Sequence, residues 1–312
     1  MVKAILTTKV NPTYDDLPED RYHFPKIYLK AMEAAVGDHI IYYEPRRTSG
    51  DSSSSGGRQS YFAVARVNRI EADPINDDHF YAYIDSYLDF DCDVSFKQGG
   101  SYLEKKLQKE DGTTNKGAFG RAVRSIPDED FELILAVGFG NVLEDGDRLK
   151  FDKLEEEALL PSSFLYEDPE DYLPEMTDRP VVSQLINTPF RDRAFSSTIK
   201  TAYDDTCAMT GIKLADQKGY TEVQAAHIKP VKDNGPDSIR NGMALTGTMH
   251  WLFDHGLVSV EDNFKLIFSK RLSSGPVKHL FNRDGYLTIP KTEKIKPHPQ
   301  FLRYHRESIF KE

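Results

Sequence analysis

Ala225-Ala226-His227-Ile228-Lys229-Pro230, then Asn241-Gly242-Met243-Ala244-Leu245, then His250-Trp251-Leu252-Phe253-Asp254-His255-Gly256 decide the fold of the second half of this chain. Glu222 to Ile228 reads as a strand. Asp233-Asn234-Gly235-Pro236-Asp237 is a loop rich in turn formers. Gly242 to Thr246 reads as a second strand, and Met249 to His255 as a short helix stopped by Gly256. Beyond it, Leu257 to Val260 and Phe264 to Phe268 flank Glu261-Asp262-Asn263, a hairpin signal.

Four side chains in this stretch carry chemistry. His227 follows a short apolar strand. His250 opens the helical segment, and Asp254 comes four residues later, so the two share a helix face and converge on one ion. Asn241 stands between them at a strand start. Phosphodiester hydrolysis needs a base to deprotonate water and a cation to stabilise charge on the phosphate and the leaving oxygen. A neutral imidazole serves as the base near neutral pH. These residue types suit that task, but composition alone does not select it. A histidine beneath a turn, an asparagine that pins a turn and an aspartate that ion-pairs with a tail lysine fit the same letters. His255 beside Gly256 suits a helix C-terminus, and Cys207 suits a buried apolar position.

Upstream, Phe190 to Tyr203 is a plausible amphipathic helix with Phe190, Ala194, Phe195, Ile199 and Ala202 on one side. Before it lies an acidic stretch that includes Leu154-Glu155-Glu156-Glu157 and Glu167-Asp168-Pro169-Glu170-Asp171 and reads as a surface linker. The first segment is mostly strands. Pro25 opens a helix continuing through Lys26 to Ala35, which Gly37-Asp38 ends. His39 to Tyr43, Tyr61 to Ile70, Phe80 to Leu88 and Asp93 to Phe96 read as strands. Thr48 to Gly57 is a low-complexity loop, and Pro127 to Gly138 reads as a helix with acidic residues in its first turn. Several strands with one or two helices suggest a small, strongly curved sheet or barrel.

The 312 residues suffice for two domains, and the hydrophobic content of 39% with 29% charged residues describes a globular protein. No apolar run reaches membrane-spanning length. The N-terminus is too short in apolar residues for a signal peptide. Two cysteines, Cys92 and Cys207, exclude a disulfide framework and a four-cysteine zinc ribbon. A cytoplasmic location is expected. The net charge of −10 is uneven: residues 1–141 carry −6, residues 142–180 carry −9 and residues 181–312 carry +5. Phosphate binding follows the local field, so the basic C-terminal part remains compatible with nucleic acid.

The Ala225–Pro230, Asn234-Gly235, Asn241–Leu245 and His250–Gly256 segments closely resemble the HNH endonuclease motif. Cys207-Ala208-Met209-Thr210-Gly211 and Arg191-Asp192-Arg193-Ala194-Phe195 resemble the lead-in of one branch of that family. The resemblance covers about residues 188–270. It implies two strands and a helix clasping one metal ion (a ββα-metal fold), with His227 as general base, Asn241 orienting the His227 loop and His250 as a metal ligand. Asp254 is the second candidate ligand. Many family members carry an acidic residue or histidine ligand immediately before the first histidine; here Ala226 stands there. Either His250 and Asp254 hold the ion with water and phosphate, or Asp205 or Glu222 contributes, or the site is degenerate. Magnesium or manganese suits such ligands, with nickel or cobalt as in vitro substitutes.

Tyr22-His23-Phe24-Pro25, Gly37 to Tyr43 and Tyr61 to Val67 look like the PUA superfamily, and within it the EVE and SRA-like modules that read modified bases. The chemistry of an extruded base, stacked on rings and read at its edge, makes Tyr22, His23, Tyr42, Tyr43 and Asp85 pocket candidates. Arg46, Arg47 and Arg58 around the Ser/Gly loop, with Lys229, are candidates for the DNA backbone. The expected class is α+β: a PUA-like curved barrel with helices over 1–141, an acidic linker over 142–184 and an HNH nuclease domain over 185–312. The expected function is a metal-dependent endonuclease acting on double-stranded DNA that contains modified cytosine. Restriction of unmodified DNA, a catalytically degenerate DNA-binding protein and an RNA-directed nuclease are the alternatives. A homodimer is the simplest way to cut two strands, and a monomeric nickase is equally consistent.

Overall fold

The structure, a computed structural model, describes residues 3–9, 15–49, 51, 53–143, 188–217, 219–272 and 276–312. The linker read at 142–184 lies almost wholly outside them. The chain divides into two units, one ending at Ala194 and the other starting at Phe195. The division therefore falls inside a helix that sequence reading put wholly in the C-terminal domain. Among the described residues no helix is long and apolar enough to cross a membrane.

The first unit is built on six strands: β1 (Ala4–Thr7), β2 (Arg21–Pro25), β3 (His39–Glu44), β4 (Ser60–Ala72), β5 (His79–Ser95) and β6 (Val123–Ser125). Their order across the sheet is β2-β5-β4-β3-β1-β6. Only β1 and β3 run parallel; the other pairs are antiparallel. Both faces are covered, which explains why β3 is apolar at nearly every position. Ile41 and Tyr43 face a core closed by helix α2 (Asp128–Gly138) through Phe131, Ile134 and Leu135. Ile40 and Tyr42 face a second core that receives Met32 and Ala35 of helix α1 (Leu29–Ala35).

The sheet is curled but, among the described residues, not closed. Register shifts between β4 and β5 at three places bend it. The Tyr22 hydroxyl on one edge strand lies 3.0 Å from the Thr7 carbonyl and 3.4 Å from that of Ala122, beside the other edge. The expected barrel is thus a half-barrel. The two strands read at Phe80–Leu88 and Asp93–Phe96 are one continuous β5: the register shift between Tyr61 and Ala63, paired with Val94 and Asp89, absorbs the intervening residues, so pairing continues.

The second unit holds most of helix α3 (Thr188–Ala202), the antiparallel pair β7 (Gln224–His227) and β8 (Gly242–Leu245), helix α4 (Gly247–Asp254), the hairpin β9 (Val258–Val260) and β10 (Leu266–Phe268), and helix α5 (Pro299–Ser308). One core joins them, with Phe195 and Ile199 of α3, Ala226, Met243 and Leu245 of the strand pair, Leu252 and Phe253 of α4, and Phe301 and Leu302 of α5.

His305 of α5 is 1% exposed. Its ring lies flat on Phe253, centroids 3.6 Å apart, its Nε2 donates to the Phe253 carbonyl at 3.0 Å, and its Nδ1 meets the Ser259 hydroxyl at 2.8 Å. Burial pushes its pKa down to about 4, against the opposing pull of the carbonyl bond. The unfolded chain titrates this ring near the ordinary value of about 6.5. The neutral ring therefore favours the fold fully above about pH 6.5, and that contribution drains away as pH falls toward 4. The size is about 3 kcal/mol at most. Wild-type chain should lose more stability between pH 7 and pH 4 than H305Q, read from thermal unfolding; parallel losses would refute this.

Candidate functional site

His227 closes β7, opposite Gly242 on β8. Its ring stacks on Phe195, centroids 3.9 Å apart and nearly parallel at 10°. Its Nε2 lies 2.9 Å from Asp237 Oδ1. Gly242 makes room for this stack, because a Cβ there would fall 2.8 Å from the Phe195 ring and 2.2 Å from Ile199.

Asn241 is fully buried and spends its amide on the loop after His227. Its Oδ1 accepts from the Lys229 N–H at 2.8 Å, and its Nδ2 donates to the carbonyls of Lys229 at 3.0 Å and Pro236 at 2.9 Å. Its own carbonyl accepts from the Ile228 N–H at 2.8 Å. Both ends of the 229–236 loop are thus clipped to one side chain. Within the loop Asn234 takes a left-handed φ of 59°, and Gly235 passes so close to Lys229 that a Cβ would sit 1.8 Å from its carbonyl oxygen.

Helix α4 begins under Glu222, whose Oε1 accepts from the Gly247 N–H at 2.9 Å. His250 and Asp254 stand one turn apart, Nε2 to Oδ2 at 3.4 Å. Gln224 of β7 holds the other ring nitrogen, Nδ1 to Oε1 at 2.9 Å. An amide oxygen only accepts, so Nδ1 carries the proton and Nε2 presents a lone pair toward Asp254. Either a proton on Nε2 or a metal ion between the two groups would satisfy both. Metal bonds of about 2.1 Å at right angles place two donors about 3 Å apart, so this pair fits a small divalent ion. Among the described residues no third His, Cys, Asp or Glu joins the pair. Asp205 accepts from the Thr221 hydroxyl at 2.9 Å, and Glu222 is taken by the helix N-terminus. Neither acid is grouped with the His250–Asp254 pair.

His255 caps α4, its ring stacked on Trp251 and its Nδ1 2.8 Å from the Trp251 carbonyl. Cys207 is fully buried, with the Thr246 N–H directed at its sulfur at 3.4 Å. Lys229 places its ammonium over the Tyr304 ring. Sequence reading missed Gln224, Phe195 and Asp237. The first was findable, since the strand register brings position 224 opposite Leu245, at the approach to α4.

The pocket candidates of the first unit do not converge. Tyr42 and Tyr43 are neighbours on a strand, so their rings enter opposite cores; Tyr22 shares the Tyr42 side. His23 stacks on Tyr81 and sits 2.9 Å from Asp73, and Asp85 is paired with Arg66 at 2.8 Å. Arg58 is folded into the protein, its guanidinium over Phe62 and bonded to Glu44 and Asp93, while Arg46 and Arg47 are exposed. A different group gathers around Tyr42, whose buried hydroxyl has no hydrogen-bond partner among the described residues. Its ring neighbours Phe62 and Tyr87, and the Tyr87 hydroxyl donates to Asp89 at 2.8 Å. Asp16, whose charge also acts on Tyr42, is pushed up to about 7 by burial.

Residues 207–261 match the family model described as HNH endonuclease, a span that contains Gln224, His227, Asp237, Asn241, His250 and Asp254. No curated protein matches the chain. Among solved structures the chain is similar to one described as "Modification dependent TagI restriction endonuclease", at 13% identity and a TM-score of 0.31, over 98% of this chain and 81% of that one. A likeness of that size carries no weight for function.

Proposed function

We propose that this chain is a metal-dependent endonuclease that hydrolyses DNA phosphodiester bonds, directed to DNA containing modified cytosine. One geometry carries the nuclease reading: β7 bears both His227 and, three residues earlier, the amide that fixes the His250 tautomer. In this reading His227 takes a proton from the attacking water. Asn241 holds the His227 loop. His250 and Asp254 hold a magnesium or manganese ion. When bound, that ion supplies charge stabilisation for the phosphate and the leaving oxygen. Exposed Arg46 and Arg47, with Lys229, are the cations left for the DNA backbone.

The modified-base half of the reading draws support from the first unit. A buried tyrosine hydroxyl with no hydrogen-bond partner among the described residues and a carboxyl of raised pKa whose charge acts on it, set among rings, are groups that can read a base edge. A second reading, a DNA-binding protein without catalysis, draws on the two-donor metal site.

The test is incubation with magnesium or manganese and a plasmid panel: unmodified, methylcytosine, hydroxymethylcytosine, glucosylated and phosphorothioated. Cutting of a modified plasmid that EDTA stops is the expected result. Equal cutting of all plasmids removes the modified-base half. No cutting, together with no metal uptake that distinguishes wild type from D254A, favours the second reading.

A further inference from the structure

We infer that Asp237 is a positioning residue for His227: it holds the Nε2 proton and so makes Nδ1 the nitrogen that receives a proton from water. The inference rests on the reading of His227 as general base and adds what selects its working nitrogen.

The carboxylate lies 2.9 Å from Nε2, with its side chain 9% exposed against 19% for the histidine. A carboxylate can only accept, so a neutral imidazole bonded to it carries its proton on Nε2 and its lone pair on Nδ1. The position of Asp237 is itself fixed. Pro236 before it is held through its carbonyl by Asn241, and Ser238 after it is fully buried, with its hydroxyl accepting from the Arg240 N–H at 3.2 Å and its carbonyl from the Asn241 N–H at 2.8 Å. The flat face of the ring rests on Phe195, which prevents rotation out of the Asp237 bond. Helix α3 thus supplies an uncharged ring, and Asp237 is the charged group in contact with the imidazole among the described residues. When the ring takes up a proton from water, the new positive charge arises beside this carboxylate, which stabilises it and raises its readiness to form.

Two measurements on the full chain test this. Nitrogen-15 NMR of the histidine rings should find His227 protonated on Nε2 above the ring's titration, and D237A should lose that preference. A proton on Nδ1 in the wild-type chain would overturn the assignment. This arm needs no turnover, so it decides the matter even if the chain cuts none of the DNA supplied, an outcome that would count against the nuclease reading instead. In the second arm, D237N should lower kcat by about 10²-fold, with KM for DNA and the melting temperature nearly unchanged. D237E should recover part of the rate. Wild-type kcat in D237N would overturn the proposal, since a merely structural bond would shift melting and leave kcat unchanged.

Discussion

His227→Ala should lower the rate of DNA cleavage by about 10²- to 10⁴-fold, the range a positioned general base contributes, while DNA affinity stays within about twofold. The imidazole sits at the end of β7, shielded on one face by Phe195 and bonded at one edge to Asp237. Its remaining nitrogen is the basic one. Alanine removes the proposed base and leaves the His250–Asp254 pair, the Asn241 clip and the exposed cations in place. The fold should lose about 1–2 kcal/mol, since Asp237 loses a partner but keeps other interactions. That is a minor part of a normal domain's stability. The decisive comparison is single-turnover cleavage with and without added imidazole, alongside anisotropy for binding. Free imidazole should restore part of the rate by occupying the gap beside Phe195. Cleavage by H227A at more than a tenth of the wild-type rate would remove His227 from the role of base.

Asn241→Asp should harm the protein more than Asn241→Ala, although aspartate is the closer match in shape. The asparagine is fully buried and uses one acceptor and two donors, toward the Lys229 N–H and the carbonyls of Lys229 and Pro236. Alanine leaves those three backbone groups short of a partner, at about 2–4 kcal/mol in all. An ionised aspartate keeps the bond from Lys229 N–H but turns a charged oxygen toward two carbonyl oxygens in a fully buried site. Both variants free the 229–236 loop, and with it Asp237, so cleavage should fall by about 10²-fold or more in either. Denaturant unfolding ranks the stabilities. An N241D chain as stable as wild type would show that the clip does not hold the loop.

The strand, loop, strand and helix around His227 were legible because local letters admit few solutions there. Asn234 accepts a left-handed backbone, Gly235 a contact no side chain tolerates, and Gly256 ends the helix at a positive φ of 67°. His250 and Asp254 were legible as a pair because helical spacing alone brings them together. Asp237 was not, because its partner is set by a loop folded back through Asn241, which no local pattern encodes, and Gln224 could be reached only through the pairing of the two strands. In the first unit, the aromatic letters offered Tyr42 and Tyr43 together as pocket candidates, but adjacent strand positions send their rings into separate cores. The continuity of β5 through Asp89 to Cys92 was hidden because three polar or acidic residues around Phe90 look, in sequence, like a break, while the irregular register opposite Tyr61 and Ala63 carries the strand on.

A strand of four residues makes a short, stiff gauge. Gln224 and His227 stand about 10 Å apart along it, which sets how far the helix column at His250 lies from the imidazole by backbone geometry and not by a flexible arm. Lengthening the gauge by one residue would add about 3.3 Å and turn one end to the other side of the sheet. The 229–236 loop is set just as tightly: Asn241 grips its two ends, and Gly235 turns back onto the Lys229 carbonyl and bonds to Pro230 between them. An insertion in either piece would part groups that now meet.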